Sequence, residues 1–231
     1  MAVTSMANSS IRDFQKTNKM SGIEELFVPA KTSNTATGSY TDANDFTWDY
    51  HDFTSSGSFV VTTAGWADLL VVGGGGSSNR GSGGAGGGGG GVRHGMFYLE
   101  AGTITVTVGA GGTAGGNGGT TSFGTVLISG GGGLGFATEN GDFIFTPYGG
   151  GGYAGAISSR VSSNAPGAGA GGTVLGSNTY DGIDLNYTNA VVEFGAGGVT
   201  SDPPANTGWG GKYTADNSPG GAGRVVVKVL A

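Results

Sequence analysis

The sequence predicts a mainly β protein, a sandwich-like β framework with inserted glycine-rich segments of the polyglycine II type and a short N-terminal arm. Three observations carry that expectation. Runs such as SFVVTTAGWADLLVV and RVVVKVL are dense in β-branched and aromatic residues. Glycine supplies 53 of the 231 residues, roughly three times its usual share of about 7%. Only 11% of residues are charged, which sets the chain apart from disordered sequences, whose charge is high and whose apolar content is low.

Residues 1–30 read as a separate attachment arm, nearly free of glycine and carrying Arg12, Lys16, Lys19, Glu24 and Glu25. Ser9 or Ser10 is placed to cap a short helix with Ile11 and Phe14 on one face, and GIEELFVPA adds Ile23, Leu26 and Phe27. These five apolar residues are the candidate contacts by which the arm docks on a partner. Residues 31–231 form the second unit, a glycine-rich β domain.

Within that unit the stretch from Tyr40 to Phe53 interleaves acids with aromatics and opens the β framework. Two strand-like runs separated by a glycine turn follow. Further strand candidates are Met96 to Leu99, Thr103 to Val108, Phe123 to Ile128, Phe143 to Phe145, Ala190 to Phe194 and Arg224 to Leu230. Between them lie GGGGSSNRGSGGAGGGGGG, GAGGTAGGNGG, GGGGLG, YGGGGYAG, APGAGAGG, GAGG and PGGAG. They lack the strict third-position glycine of collagen. Such blocks can pack as extended three-residue-per-turn helices, because a residue without a side chain lets backbones approach and pair amide to carbonyl. An ordinary arrangement of turns and linkers is the alternative.

The net charge of -6 and scattered basic residues exclude a nucleic-acid partner, which requires clustered Lys and Arg. The absence of cysteine excludes disulfides and thiolate metal sites. No signal-peptide core or membrane-length apolar run is present, so synthesis in a cytoplasm without membrane insertion is expected. Gly109, Gly111 and Ala114 match the letters of a dinucleotide fingerprint, but the following GGNGGTTSFG cannot open the helix that motif requires. His51 and His94 are isolated. Asp42, Asp45, Asp49 and Asp52 form the densest carboxylate group, yet lack the calcium-loop pattern and read as turn-capping residues. No enzyme chemistry, cofactor or metal is expected.

The phrases LLVVGGGG, LEAGTITVTVGAGG and a closing glycine block running into GRVVVKVLA resemble the glycine-rich domain of bacteriophage tail-fibre and receptor-binding (adhesin) proteins, over about residues 57–231. In kind the chain is also similar to T-even long-tail-fibre adhesins. The resemblance implies a virion protein of the tail fibre or tail tip, made in the host cytoplasm. Its partners would be other virion proteins and a bacterial surface receptor, either a glycan or an outer-membrane protein, and its assembly a homo-oligomer, with a trimer as the model. Under that reading the recognition loops are 137–148, 177–189 and 201–213, with Tyr148, Tyr180, Tyr187, Trp209 and Tyr213 as receptor-binding aromatics. The alternative role is a purely structural virion component: a head decoration, head fibre or tail connector subunit.

Overall fold

The computed structural model describes residues 28–78, 86–132, 182–198, 201–212 and 217–231. They form β1 (Lys31–Thr32), β2 (Gly38–Thr41), β3 (Thr47–Phe53), β4 (Gly57–Thr63), β5 (Gly65–Val72), β6 (Val92–Leu99), β7 (Gly102–Thr107), β8 (Thr121–Phe123), β9 (Leu127–Ser129), β10 (Ile183–Asn186), β11 (Val191–Phe194) and β12 (Arg224–Leu230). No helix occurs among the described residues. One antiparallel sheet has the order β1-β4-β7-β8-β9, a second the order β2-β3-β12-β5-β6, and β10-β11 is a separate hairpin.

The apolar pattern explains this layering. Alternate residues Leu69, Val71, Val225, Val227 and Val229 face the first sheet and pack with Phe59, Val61, Val106, Phe123 and Leu127. Their neighbours Leu70, Val72, Val92 and Val226 face the other way, where Tyr187 and Phe194 of the hairpin region cover them. β5 and β12 are thus buried on both faces, which is why LLVV and VVV read as unbroken apolar runs. Arg224 donates from Nε to Asp52 Oδ1 at 2.7 Å and fixes β12 to β3. The chain's pairing starts before the first strand: Trp66 donates its amide to the Val28 carbonyl and Ala30 donates to that of Trp66.

Two strand expectations need correction. The stretch Phe123 to Ile128 is a hairpin and not one strand, with β8 and β9 joined through Gly124 at φ 52°. Residues 183–186, inside an expected loop, form β10, paired with β11 through Ile183–Phe194 and Asn186–Val191. The candidate strand 143–145 lies outside the described residues.

Between the strands the described glycine segments form a second packed body. The amides of residues 73–78 bond outward with a three-residue repeat. Gly73 and Gly76 donate to the carbonyls of Gly91 and Gly88, Gly74 and Ser77 to Gly119 and Gly116, and Gly75 and Ser78 to Gly221 and Ser218, all at 2.8–3.0 Å. In return the amides of Gly132, Gly112 and Gly211 bond to the carbonyls of Gly74, Gly75 and Gly76 at 2.7–2.8 Å. Segment 73–78 is therefore ringed by segments 86–91, 116–119, 218–223, 130–132, 109–112 and 207–211. A chain with three residues per turn turns each successive amide by about 120°, so it can address three neighbours in rotation and has no internal hydrogen bond of its own. The packed-helix expectation holds for these blocks. Close approach is what demands glycine: a methyl added at Gly90 would meet the Gly73 carbonyl, and one at Gly118 the Gly74 carbonyl, well inside 3.0 Å.

Candidate functional site

One end of the lattice is rooted in the strands. Gly73 follows β5, Gly91 precedes β6, Gly130 follows β9, Gly195 follows β11 and Gly223 precedes β12. The hydrogen bonds then fix what lies at the opposite end. Ser78 bonds to Ser218, Gly87 to Gly211, Gly198 to Gly87 and Ser77 to Gly116, so these residues stand level with one another, away from the sandwich. The described residues that flank stretches 79–85, 199–200 and 213–216 lie toward this far end, whereas Gly132 stands nearer the strands, level with Gly74.

Three described groups present themselves there. Residues 113–116 make a tight turn, with Gly116 donating to the Thr113 carbonyl at 2.9 Å and Ala114 and Gly115 at φ 47° and 81°. Thr113 and Ala114 are exposed. Lys212 Nζ pairs with Asp202 Oδ1 at 2.6 Å across two connections. Ser218 accepts from the Lys212 amide on its Oγ at 3.2 Å and donates its own amide to Ser78 Oγ at 2.9 Å, closing the lattice end with hydroxyls. The exposed turn at Thr113 and Ala114 and the Lys212–Asp202 pair can display polar hydrogen-bonding surface on a base held by backbone bonds, whereas Ser78 and Ser218 are buried beneath it.

The aromatic candidates fall into two groups. Tyr148, Tyr180 and Tyr213 lie outside the described residues, as do Ile11, Phe14, Ile23, Leu26 and Phe27 of the arm. Tyr187 is 6% exposed. Its hydroxyl donates to Asp68 Oδ1 at 2.7 Å, and burial, followed by the Asp68 charge, pushes its phenol far up so that it stays protonated. Its face is taken by Lys228 Nζ, 4.3 Å from the ring centroid, which leaves no open face for a partner. Trp209 is half-buried. Its indole donates to the Glu193 carbonyl at 2.9 Å, while its own carbonyl accepts from Gly221 inside the lattice. The stretch 201–213 is thus part lattice segment and not wholly a loop.

Within the acidic group Asp42 caps a turn as expected, whereas Asp49 and Asp52 lie in β3 and not in a turn. Asp42 Oδ1 accepts the amides of Asn44 and Phe46 at 2.8 and 3.1 Å, and Oδ2 accepts the Trp48 indole at 2.9 Å. Partial burial works to raise its pKa, but the bonds from Trp48, Asn44 and Phe46 outweigh it and hold the carboxyl below its ordinary range. Asp52 is committed to Arg224. Among the described residues no three His, Cys, Asp or Glu side chains gather as a metal would need. Gly109 and Gly112 spend their amides on Thr121 Oγ1 and the Gly75 carbonyl, so that glycine stretch serves the lattice.

A family model described as a glycine-rich domain matches residues 54–230. The chain belongs to that family. No curated protein matches the chain. The matched glycine-rich domain begins just after β3, yet β3 pairs with β12 along six registered residues from Phe53–Val225 to Trp48–Leu230, so the preceding strands complete its second sheet. Sequence reasoning missed that the far-end turn of this glycine-rich domain is centred on Ala114 and Gly115. The signal was present in GAGGTAGGNGG, where two glycine runs flank a Thr-Ala pair.

Proposed function

We propose that the protein is a bacteriophage virion component of the tail fibre or tail tip that binds a host cell-surface receptor with the connections gathered at the far end of its glycine lattice. The observation that carries this reading is the placement of those connections. The connections flanked by Ser78, Gly198 and Lys212 leave from one level of a body whose interior is backbone bonded to backbone, so their sequences can change without disturbing a side-chain core. Binding surfaces held on a rigid base lose less entropy on association. The sequence likeness to phage adhesin glycine-rich domains supports the same role, and the arm 1–30 supplies the attachment to a neighbouring virion protein.

The burial of Tyr187 and the docking of β10-β11 on the second sheet favour an alternative for that region, a structural part of the body. The wider alternative is a purely structural virion subunit. Purified full-length protein is expected to bind whole cells of a permissive host saturably, with loss of binding in Tyr213→Ala and Thr113→Arg and retention in Val191→Ser, which lies on the hairpin. Equal binding by all variants moves the site away from the far end. No binding by folded protein to a permissive host favours the structural role.

A further inference from the structure

Lys228 and Asp68 face each other directly in the β12–β5 register, on the face of the second sheet turned toward the hairpin. Lys228 Nζ lies 2.8 Å from Asp68 Oδ2, with side chains 10% and 19% exposed. Two aromatic rings wall the amine, Trp48 at 5.1 Å and Tyr187 at 4.3 Å. The other carboxylate oxygen, Oδ1, receives the Tyr187 hydroxyl at 2.7 Å. Amine, carboxyl and a proton donor on the carboxyl's second oxygen therefore meet in one water-poor place. The chain has no cysteine with which to staple itself otherwise.

We propose that Lys228 and Asp68 condense into an intramolecular amide, with Tyr187 as the proton donor that polarises the carboxyl group. Proton transfer within the pair gives the free amine and the carboxylic acid. The Nζ lone pair attacks Cγ, the new charge on Oδ1 is held by the Tyr187 hydroxyl, and the Cγ–Oδ2 bond breaks. Oδ2 leaves as water with the proton it took in the first transfer and one more from nitrogen. The step is redox-neutral and needs no co-reactant. Holding both groups in contact supplies effective molarities of about 10⁵ M or more, which favours a bond that free amine and acid in water do not form. The link joins the last strand to β5 across most of the sequence, and closing so long a loop constrains the unfolded chain strongly. This proposal is independent of any receptor role.

Intact mass of the full-length folded protein, measured after denaturation, tests it. The expected mass is lower than the sequence mass by one water, and proteolysis yields a branched peptide joining the Asp68 and Lys228 segments. Lys228→Arg is expected at full mass. Asp68→Asn is expected to reach the wild-type product by losing ammonia instead, and Tyr187→Phe to show a raised unlinked fraction at early times. Wild-type protein at full sequence mass overturns the proposal and leaves an ion pair, as does a water loss that survives in Lys228→Arg.

Discussion

In the sandwich, Phe59, Leu69, Phe123 and Val227 fill the space between two sheets with side chains. In the lattice, Gly73, Gly90, Gly118 and Gly220 leave no space between chains to fill. The first region is stabilised by apolar area withdrawn from water. The second has almost no side chain to withdraw, and its order rests on amides that each find a carbonyl on a neighbouring segment. Tolerance to substitution should therefore invert between them: enlargement is worst in the lattice, truncation worst in the sandwich. Lattice side chains divide by position: Ala110, Asn117 and Pro219 are exposed where the lattice meets water, whereas Ser77, Ser78 and Ser218 are buried.

The largest effect is expected for Gly90→Val, whose branched side chain would be driven into the Gly73 carbonyl. Overpacking against backbone that cannot yield costs more than the usual range of about 1–3 kcal/mol, and loss of soluble folded protein is the expected outcome. A normal melting temperature for this variant would break the contrast. Next comes Phe59→Ala in the sandwich, which removes a ring fully buried against Phe123 and should cost about 3–5 kcal/mol by denaturant unfolding.

A smaller effect separates the regions by pH. The described lattice segments carry no titratable side chain, whereas His51 is 3% exposed in the sandwich with its Nε2 unpartnered. Burial lowers its pKa below 6.5, against the opposing pull of the Thr35 carbonyl and Asp49. A depressed histidine binds fewer protons when folded than when unfolded. Stability is thus fully present above the unfolded value of 6.5 and falls as pH drops below it toward and past the folded value. Melting temperatures between neutral pH and about 5 should decline, with a shallower slope in His51→Leu. The smallest effect is expected for Ala110→Ser on the lattice exterior, within about 0.5 kcal/mol of wild type.

Much of the sandwich was legible because alternation and unbroken apolar runs report burial on one face or on two. TITVTV became β7 and RVVVKVL became β12 within a residue or so. The β8–β9 hairpin was misread as one strand because Gly124 and Thr125 interrupt an otherwise β-prone run, and only the left-handed backbone at Gly124 shows the reversal. β10 was hidden by the Asp and Asn around it, residues that favour turns unless tertiary packing overrides them. The candidate site was less legible. Tyr187 looked like a surface aromatic because its partners, Asp68 and Leu69, are more than a hundred residues away. Trp209 stood beside Gly208, Gly210 and Gly211, and that glycine setting was the available sign of a lattice segment.

Native-state hydrogen exchange of the glycine amides tests the central claim most directly. If the lattice is a packed body, the amides of Gly74, Gly75, Gly76, Gly90 and Gly118 exchange as slowly as those of Val226 and Val227 in β12, since their release needs the same global opening. Exchange of these glycines at the rate of free chain, with β12 still protected, would contradict the account and leave the glycine blocks as loops on a sandwich.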